Sequence, residues 1–106
     1  MKESDLERDC IKFVSQYSTI AYWKVKAGGQ KHSFGGKSFF KKSTIPGFPD
    51  LLLCVQGKFI GIELKSDAGR QSDVQKICQA RIENSGGIYY IVRSINELKQ
   101  IVDKLL

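Results

Sequence analysis

Asp50-Leu51-Leu52-Leu53-Cys54-Val55, then Gln56-Gly57, then Lys58-Phe59-Ile60-Gly61-Ile62-Glu63-Leu64-Lys65, decides the fold. Two apolar runs are broken once, by a pair of residues suited to a tight turn, and this predicts a β-hairpin. Both arms are apolar on nearly every residue, so the hairpin should lie at the centre of a sheet covered on both faces. Pro46-Gly47-Phe48-Pro49 is turn chemistry leading into the first arm.

Working outward, Ser4-Asp5-Leu6-Glu7 reads as a capping box opening a first helix that ends near Ser18. Leu6, Cys10, Phe13, Val14 and Tyr17 recur at helical spacing along it. Ile20 to Val25 reads as a strand, with Tyr22 and Trp23 as core or dimer-face aromatics. The segment from Lys26 to Pro46 reads as a long loop. Beyond the hairpin, Ser66 to Gln71 is a polar loop, and Ser72-Asp73-Val74-Gln75 is a second capping box. Val74, Ile77, Cys78 and Ile82 mark the inner face of the helix it opens, and Gly86-Gly87 stops that helix. Ile88 to Val92 is a buried strand. Ser94-Ile95-Asn96-Glu97 then caps a last helix carrying Leu98, Ile101, Val102 and Leu105. The order αβββαβα predicts an α/β sandwich, and 106 residues allow one domain, spanning 1–106.

Composition narrows the class. Hydrophobic residues make up 42% and charged residues 26%, too apolar for a disordered chain. No apolar run approaches the roughly 18 residues of a membrane span. The start, Met1-Lys2-Glu3-Ser4-Asp5, lacks a signal-peptide stretch, so a cytoplasmic protein is expected. Cys10, Cys54 and Cys78 are dispersed and odd in number, which predicts buried free thiols rather than a disulfide framework or a metal pair. His32 is the only histidine, which excludes multi-histidine metal sites.

The net charge of +6 is concentrated in one place. Lys24, Lys26, Lys31, Lys37, Lys41 and Lys42 lie between positions 24 and 49 without a single acid, and the rest of the chain is neutral. The same stretch holds His32, Phe34, Phe39, Phe40 and the pairs Gly28-Gly29 and Gly35-Gly36. Lysines with aromatics suit a polyanion, because they neutralise phosphates and release counterions. Lys26, Lys31, His32, Lys37, Lys41 and Lys42 are therefore the candidate nucleic-acid contacts, against the alternative of a solvated loop without a partner.

Two acids interrupt the apolar pattern. In a hairpin turning at Gln56-Gly57, residues pair when their numbers sum to about 113, so Asp50 falls opposite the neighbourhood of Glu63. Lys65, two residues on, shares a face with Glu63. Leaving such groups unpaired in a sheet would cost several kcal/mol each, as an order of magnitude. Two arrangements answer that cost. A divalent cation bound by the carboxylates would activate water and polarise a phosphodiester, with Lys65 stabilising the developing charge. Alternatively, Lys65 forms a structural ion pair with Asp50 or Glu63.

Pro49-Asp50, twelve residues, then Glu63-Leu64-Lys65 resembles the signature of the PD-(D/E)XK nuclease superfamily. Gly47-Phe48-Pro49-Asp50-Leu51, Ile62-Glu63-Leu64-Lys65, Gln75 and Gly86-Gly87-Ile88-Tyr89 with Val92-Arg93-Ser94 are similar to the stand-alone VRR-NUC domain of phages and bacteria. The similarity runs from about Leu6 to the end of the chain. It implies a restriction-endonuclease-like αβββαβ sandwich with a central mixed sheet and an extra C-terminal helix. It also implies a Mg²⁺- or Mn²⁺-dependent endonuclease acting on DNA.

In such a protein Asp50, Glu63 and the backbone carbonyl of Leu64 would bind the metal, Lys65 would be the catalytic lysine, and Glu7 would complete the metal site from the first helix. Gln75 matches the glutamine on the helix after the core strands. Glu7 and Gln75 each have a simpler reading as capping-box partners of Ser4 and Ser72. Stand-alone members resemble Holliday junction resolvases, which implies branched DNA as substrate and a homodimer making symmetric cuts. The alternative function is a DNA-binding module that keeps the nuclease fold without turnover.

Overall fold

The computed structural model describes residues 2–25, 30–34, 37–41 and 46–106, and for the segments 30–34 and 37–41 it describes the backbone. The elements are α1 (Glu3–Val14), β1 (Ile20–Lys24), β2 (Gln30–Phe34), β3 (Lys37–Lys41), β4 (Leu51–Val55), β5 (Lys58–Leu64), α2 (Asp73–Asn84), β6 (Ile88–Val92) and α3 (Ile95–Leu105). Among the described residues, no helix is long and apolar enough to cross a membrane.

The expected hairpin is β4 and β5. Leu51 pairs with Ile62, Leu53 with Ile60 and Val55 with Lys58. Gln56 and Gly57 both have positive φ, 51° and 78°, which a two-residue turn needs to match the twist of its strands. The hairpin occupies the middle of a four-stranded sheet of order β1-β4-β5-β6. β1 runs antiparallel to β4, whereas β6 runs parallel to β5 after the α2 crossover, so the sheet is mixed.

Alternation along the strands sorts residues to two faces. Leu51, Leu53, Val55, Ile60, Ile62, Leu64 and Val92 point to one face, where they pack with Leu6, Cys10 and Val14 of α1 and Leu98, Val102 and Leu105 of α3. That face holds the core. Glu63 and Tyr89 belong to the other face, against α2. The latter layer is thinner than expected. α2 lies over β6 rather than over the hairpin, and it leaves a groove of about 670 Å³ lined in part by Phe48, Phe59, Val74 and Ile77. Val74 and Ile77 are accordingly exposed, and only Cys78 of the expected inner stripe is buried.

Four further expectations are corrected. α1 begins before Ser4: Lys2 is its N-cap residue, with no side-chain cap, and the Leu6 N–H donates to the Lys2 carbonyl. Glu3 and Asp5 in the first turn favour this earlier start by placing negative charge at the positive end of the helix. α1 also stops at Val14, where the Ser15 hydroxyl donates to the Lys12 carbonyl and tighter turns through Gln16 and Tyr17 lead toward β1. Tyr22 and Trp23 are exposed on the edge strand, which removes the core half of their reading and not the dimer-face half. Finally, the basic stretch is not a plain loop. β2 and β3 form a separate two-stranded antiparallel sheet, with His32 opposite Phe39 and Lys31 opposite Phe40. The sequence signal for it is two aromatic-bearing runs separated by Gly35-Gly36, the spacing of a two-residue hairpin connection. Of the three thiols, Cys10 and Cys78 are buried and Cys54 is half-buried, all free.

Candidate active site

The polar groups on the α2 face gather at the open end of the β4–β5 hairpin. Asp50 precedes β4 and is held from two sides. Its carbonyl accepts the Val25 N–H at 2.9 Å, and its Oδ2 accepts the Leu64 N–H at 2.8 Å. The β4–β5 register ends at Leu51 and Ile62, so Glu63 follows directly beside Asp50 at this end, and it is the buried acid, 2% exposed. Burial raises its carboxyl pKa from 4.5 to about 8, and the neighbouring Asp50 carboxylate pushes the same way. Lys65 Nζ lies 4.0 Å from Glu63 Oε2, too far for a hydrogen bond and a loose ion pair at best. Ionising both carboxyls at once would crowd two negative charges together, which is why Glu63 holds its proton so strongly.

α2 delivers the next group. Ser72 caps the helix by accepting the Gln75 N–H, and Gln75 Oε1 accepts the Ser72 N–H at 2.9 Å. The same amide donates from Nε2 to Glu63 Oε2 at 2.9 Å. One Gln75 side chain thus both closes the capping box and reaches Glu63. Gly47 makes this approach possible: at φ 76°, a Cβ there would lie 2.4 Å from the Val74 carbonyl oxygen, in the first turn of α2. The turn before Asp50 is thus seated directly on the turn that carries Gln75.

Glu7 is placed differently. With α1 starting at Glu3 it is no longer a capping partner, and its Oε1 instead meets Lys24 Nζ at 2.9 Å. α1 packs on the core face, so Glu7 starts from the layer opposite Gln75. Among the described residues, no set of three or more His, Cys, Asp or Glu side chains converges to hold a metal. The structure brings together Asp50, Glu63, Lys65, Gln75 and the Leu64 backbone, but not Glu7. Lys31 and His32 lie on β2 and Lys37 and Lys41 on β3, while Lys26 and Lys42 fall outside the described residues.

Several participants had no role in the sequence reading. The Tyr89 hydroxyl donates to Glu63 Oε1 at 3.3 Å and is itself met by Gln71 Nε2 at 3.1 Å. Arg93 Nη1 donates to the carbonyls of Ser66 and Gly69 at 2.8 and 2.7 Å, bracing the loop that follows Lys65. Glu3 accepts the Ser66 N–H at 3.2 Å. A tyrosine within an apolar strand is a signal in itself, because a buried phenol seeks a partner for its hydroxyl.

Asp50, Glu63 and the Leu64 carbonyl offer oxygen donors only. That set, whose two carboxyls oppose each other's ionisation until a positive charge lies between them, fits a hard divalent cation. No protein-family model and no curated protein matches the chain. A solved structure described as a VRR_NUC domain superposes with a TM-score of 0.67 at 17% identity, covering 95% of this chain and 94% of that one. The chain has the fold of that domain.

Proposed function

We propose that this protein is a VRR-NUC nuclease that hydrolyses phosphodiester bonds in DNA with Mg²⁺ or Mn²⁺, acting on branched DNA as a homodimer. The observation that carries the reading is Asp50 and Glu63, side by side at one end of the central hairpin, with Lys65 on the same face. The similarity in fold to a VRR_NUC domain supports it. Asp50, Glu63 and the Leu64 carbonyl would hold the cation. When bound, it would supply an acidified water and charge neutralisation at the scissile phosphate.

The chain's own residues supply the rest. Gln75 fixes one oxygen of Glu63 from the cap of α2. The Leu64 N–H fixes Asp50. Lys65 presents an ammonium to the reacting phosphate, where it stabilises the charge that grows in the transition state. Its loose distance to Glu63 supports this over a structural ion pair. Glu7, engaged by Lys24 in the opposite layer, stands outside this ligand set. Lys31, His32, Lys37 and Lys41 of the basic hairpin would contact the phosphate backbone, with Lys26 and Lys42 flanking it in sequence.

The deciding experiment incubates the protein with Mg²⁺ and four DNAs: linear duplex, single strand, flap and four-way junction. Paired, symmetric cuts in the junction are expected. Binding to the junction without cleavage in either Mg²⁺ or Mn²⁺ would replace the nuclease with a DNA-binding module of the same fold.

A further inference from the structure

Glu63 is the end point of a line of hydrogen bonds that starts at Gln79 on α2. Gln71 Nε2 lies 2.9 Å from Gln79 Oε1 and 3.1 Å from the Tyr89 hydroxyl oxygen. An amide nitrogen carries two hydrogens, so both are used by these two acceptors. The Tyr89 oxygen therefore accepts from Gln71, and its single hydrogen is left to point at Glu63 Oε1, 3.3 Å away. The other oxygen of Glu63 is held by Gln75. One carboxylate is thus gripped at both oxygens, from α2 on one side and from β6 on the other. Tyr89 is itself 6% exposed and rests on Gly61, where even a Cβ would stand 3.5 Å from its ring.

We infer that Tyr89, oriented by Gln71 and Gln79, is a positioning residue that sets the plane of the Glu63 carboxylate and so aims its remaining lone pairs at the cation. The inference rests on the nuclease reading above. Its physical basis is that a ligand carboxylate free to rotate must be ordered when metal binds, whereas one already hydrogen-bonded from outside is not. Gln79 contributes one acceptor at the far end, which decides which way the Gln71 amide faces. Gln71 in turn decides which way the phenol hydrogen points.

The test titrates Mn²⁺ into the protein by calorimetry and records melting of the same samples in a chelator. Tyr89→Phe keeps the ring and removes the hydroxyl, and a 10- to 100-fold weaker Mn²⁺ affinity is expected. Gln71→Glu reaches the same end without touching the ring: it offers the phenol an acceptor, turning its hydrogen away from Glu63. Gln79→Glu preserves the acceptor and should bind Mn²⁺ as the wild type does, whereas Gln79→Leu should not. Wild-type Mn²⁺ affinity in Tyr89→Phe and Gln71→Glu, with melting lowered alone, would make Tyr89 a core filler and overturn the inference. Wild-type protein that takes up no Mn²⁺ would overturn the nuclease reading and this role of Tyr89 together. In the chelator, a Tyr89→Phe/Glu63→Leu cycle, in which each change removes one partner, shows whether the bond exists without metal. Non-additive melting shifts are expected, and strictly additive ones would also remove the proposal.

Discussion

Glu63 illustrates how one residue can be costly to the fold and useful to it. Its carboxyl pKa is about 8 in the folded chain against an ordinary value of 4.5, through burial and the nearby Asp50 charge. Between those values the folded state holds a proton that the unfolded state has lost. The stability this group contributes is therefore full below about pH 4.5 and declines as pH rises through about 8. Glu63→Gln removes that slope. In a chelator, the variant should melt several degrees above wild type at pH 8.5 and close to it at pH 4.5, with about 4–8 °C expected per kcal/mol for a domain of this size. Equal melting at both pH values would contradict the assigned burial. With Mg²⁺ present, Glu63→Gln and Asp50→Asn should each lose cleavage by at least 100-fold on junction DNA, since one anionic ligand is gone. Lys65→Ala should lose turnover while keeping Mn²⁺ and junction binding, measured by calorimetry and gel shift. A Lys65→Ala chain that no longer folds would restore the structural ion pair.

At the scale of elements, the critical contact is between the turn at Pro46-Gly47-Phe48-Pro49 and the first turn of α2. Two glycines with nearly the same φ separate strain from displacement. Gly57 has φ 78° and open space around a Cβ, so Gly57→Ala should cost about 1–2 kcal/mol of left-handed strain and leave cleavage unchanged. Gly47 has φ 76° but would drive a Cβ into the Val74 backbone. Gly47→Ala should therefore lower melting further and slow cleavage as well, because it shifts the turn that carries Gln75. Matched cleavage rates for the two variants would show that Gln75 does not depend on this contact. The second capping box was readable from Ser72 and Gln75 because capping is local. The first was not a box, although Ser4 and Glu7 have the same spacing, because Glu3 and Asp5 let the helix start sooner. Spacing alone does not say which turn is the first.

For the molecule as a whole, the proposed preference for branched DNA rests on the basic hairpin β2–β3. Neutralising Lys31, Lys37, Lys41 and Lys42 together should weaken DNA binding, each lost phosphate contact lowering the slope of log affinity against log salt by about 0.9. Cleavage at saturating DNA should survive, because none of these lysines belongs to the Asp50–Glu63 pair. Preference for a junction over linear duplex should fall with affinity, since two such hairpins in a dimer would judge the branch by its shape. An unchanged salt slope would make the hairpin a solvated surface. Sedimentation of the wild type as a monomer that still makes paired cuts would remove the symmetry argument.

What the sequence by itself determined is whatever depends on neighbours along the chain. The turn at Gln56-Gly57 and the two apolar runs set the hairpin and its register, and the register alone put Asp50 opposite Glu63. The excess of lysine between Lys24 and Lys42 was equally plain, though its strands were not, because the Gly35-Gly36 signal was outweighed by charge and glycine content. Tertiary structure alone decided which face each helix covers. α1 packs against the core and α2 over β6, and this placed Glu7 beside Lys24 while Gln75 met Glu63. It also decided that Tyr89 and Gln71, 26 and 8 residues from Glu63, would share its hydrogen-bond line. Side-chain meetings across layers depend on the packing of the whole core, and no local spacing encodes them.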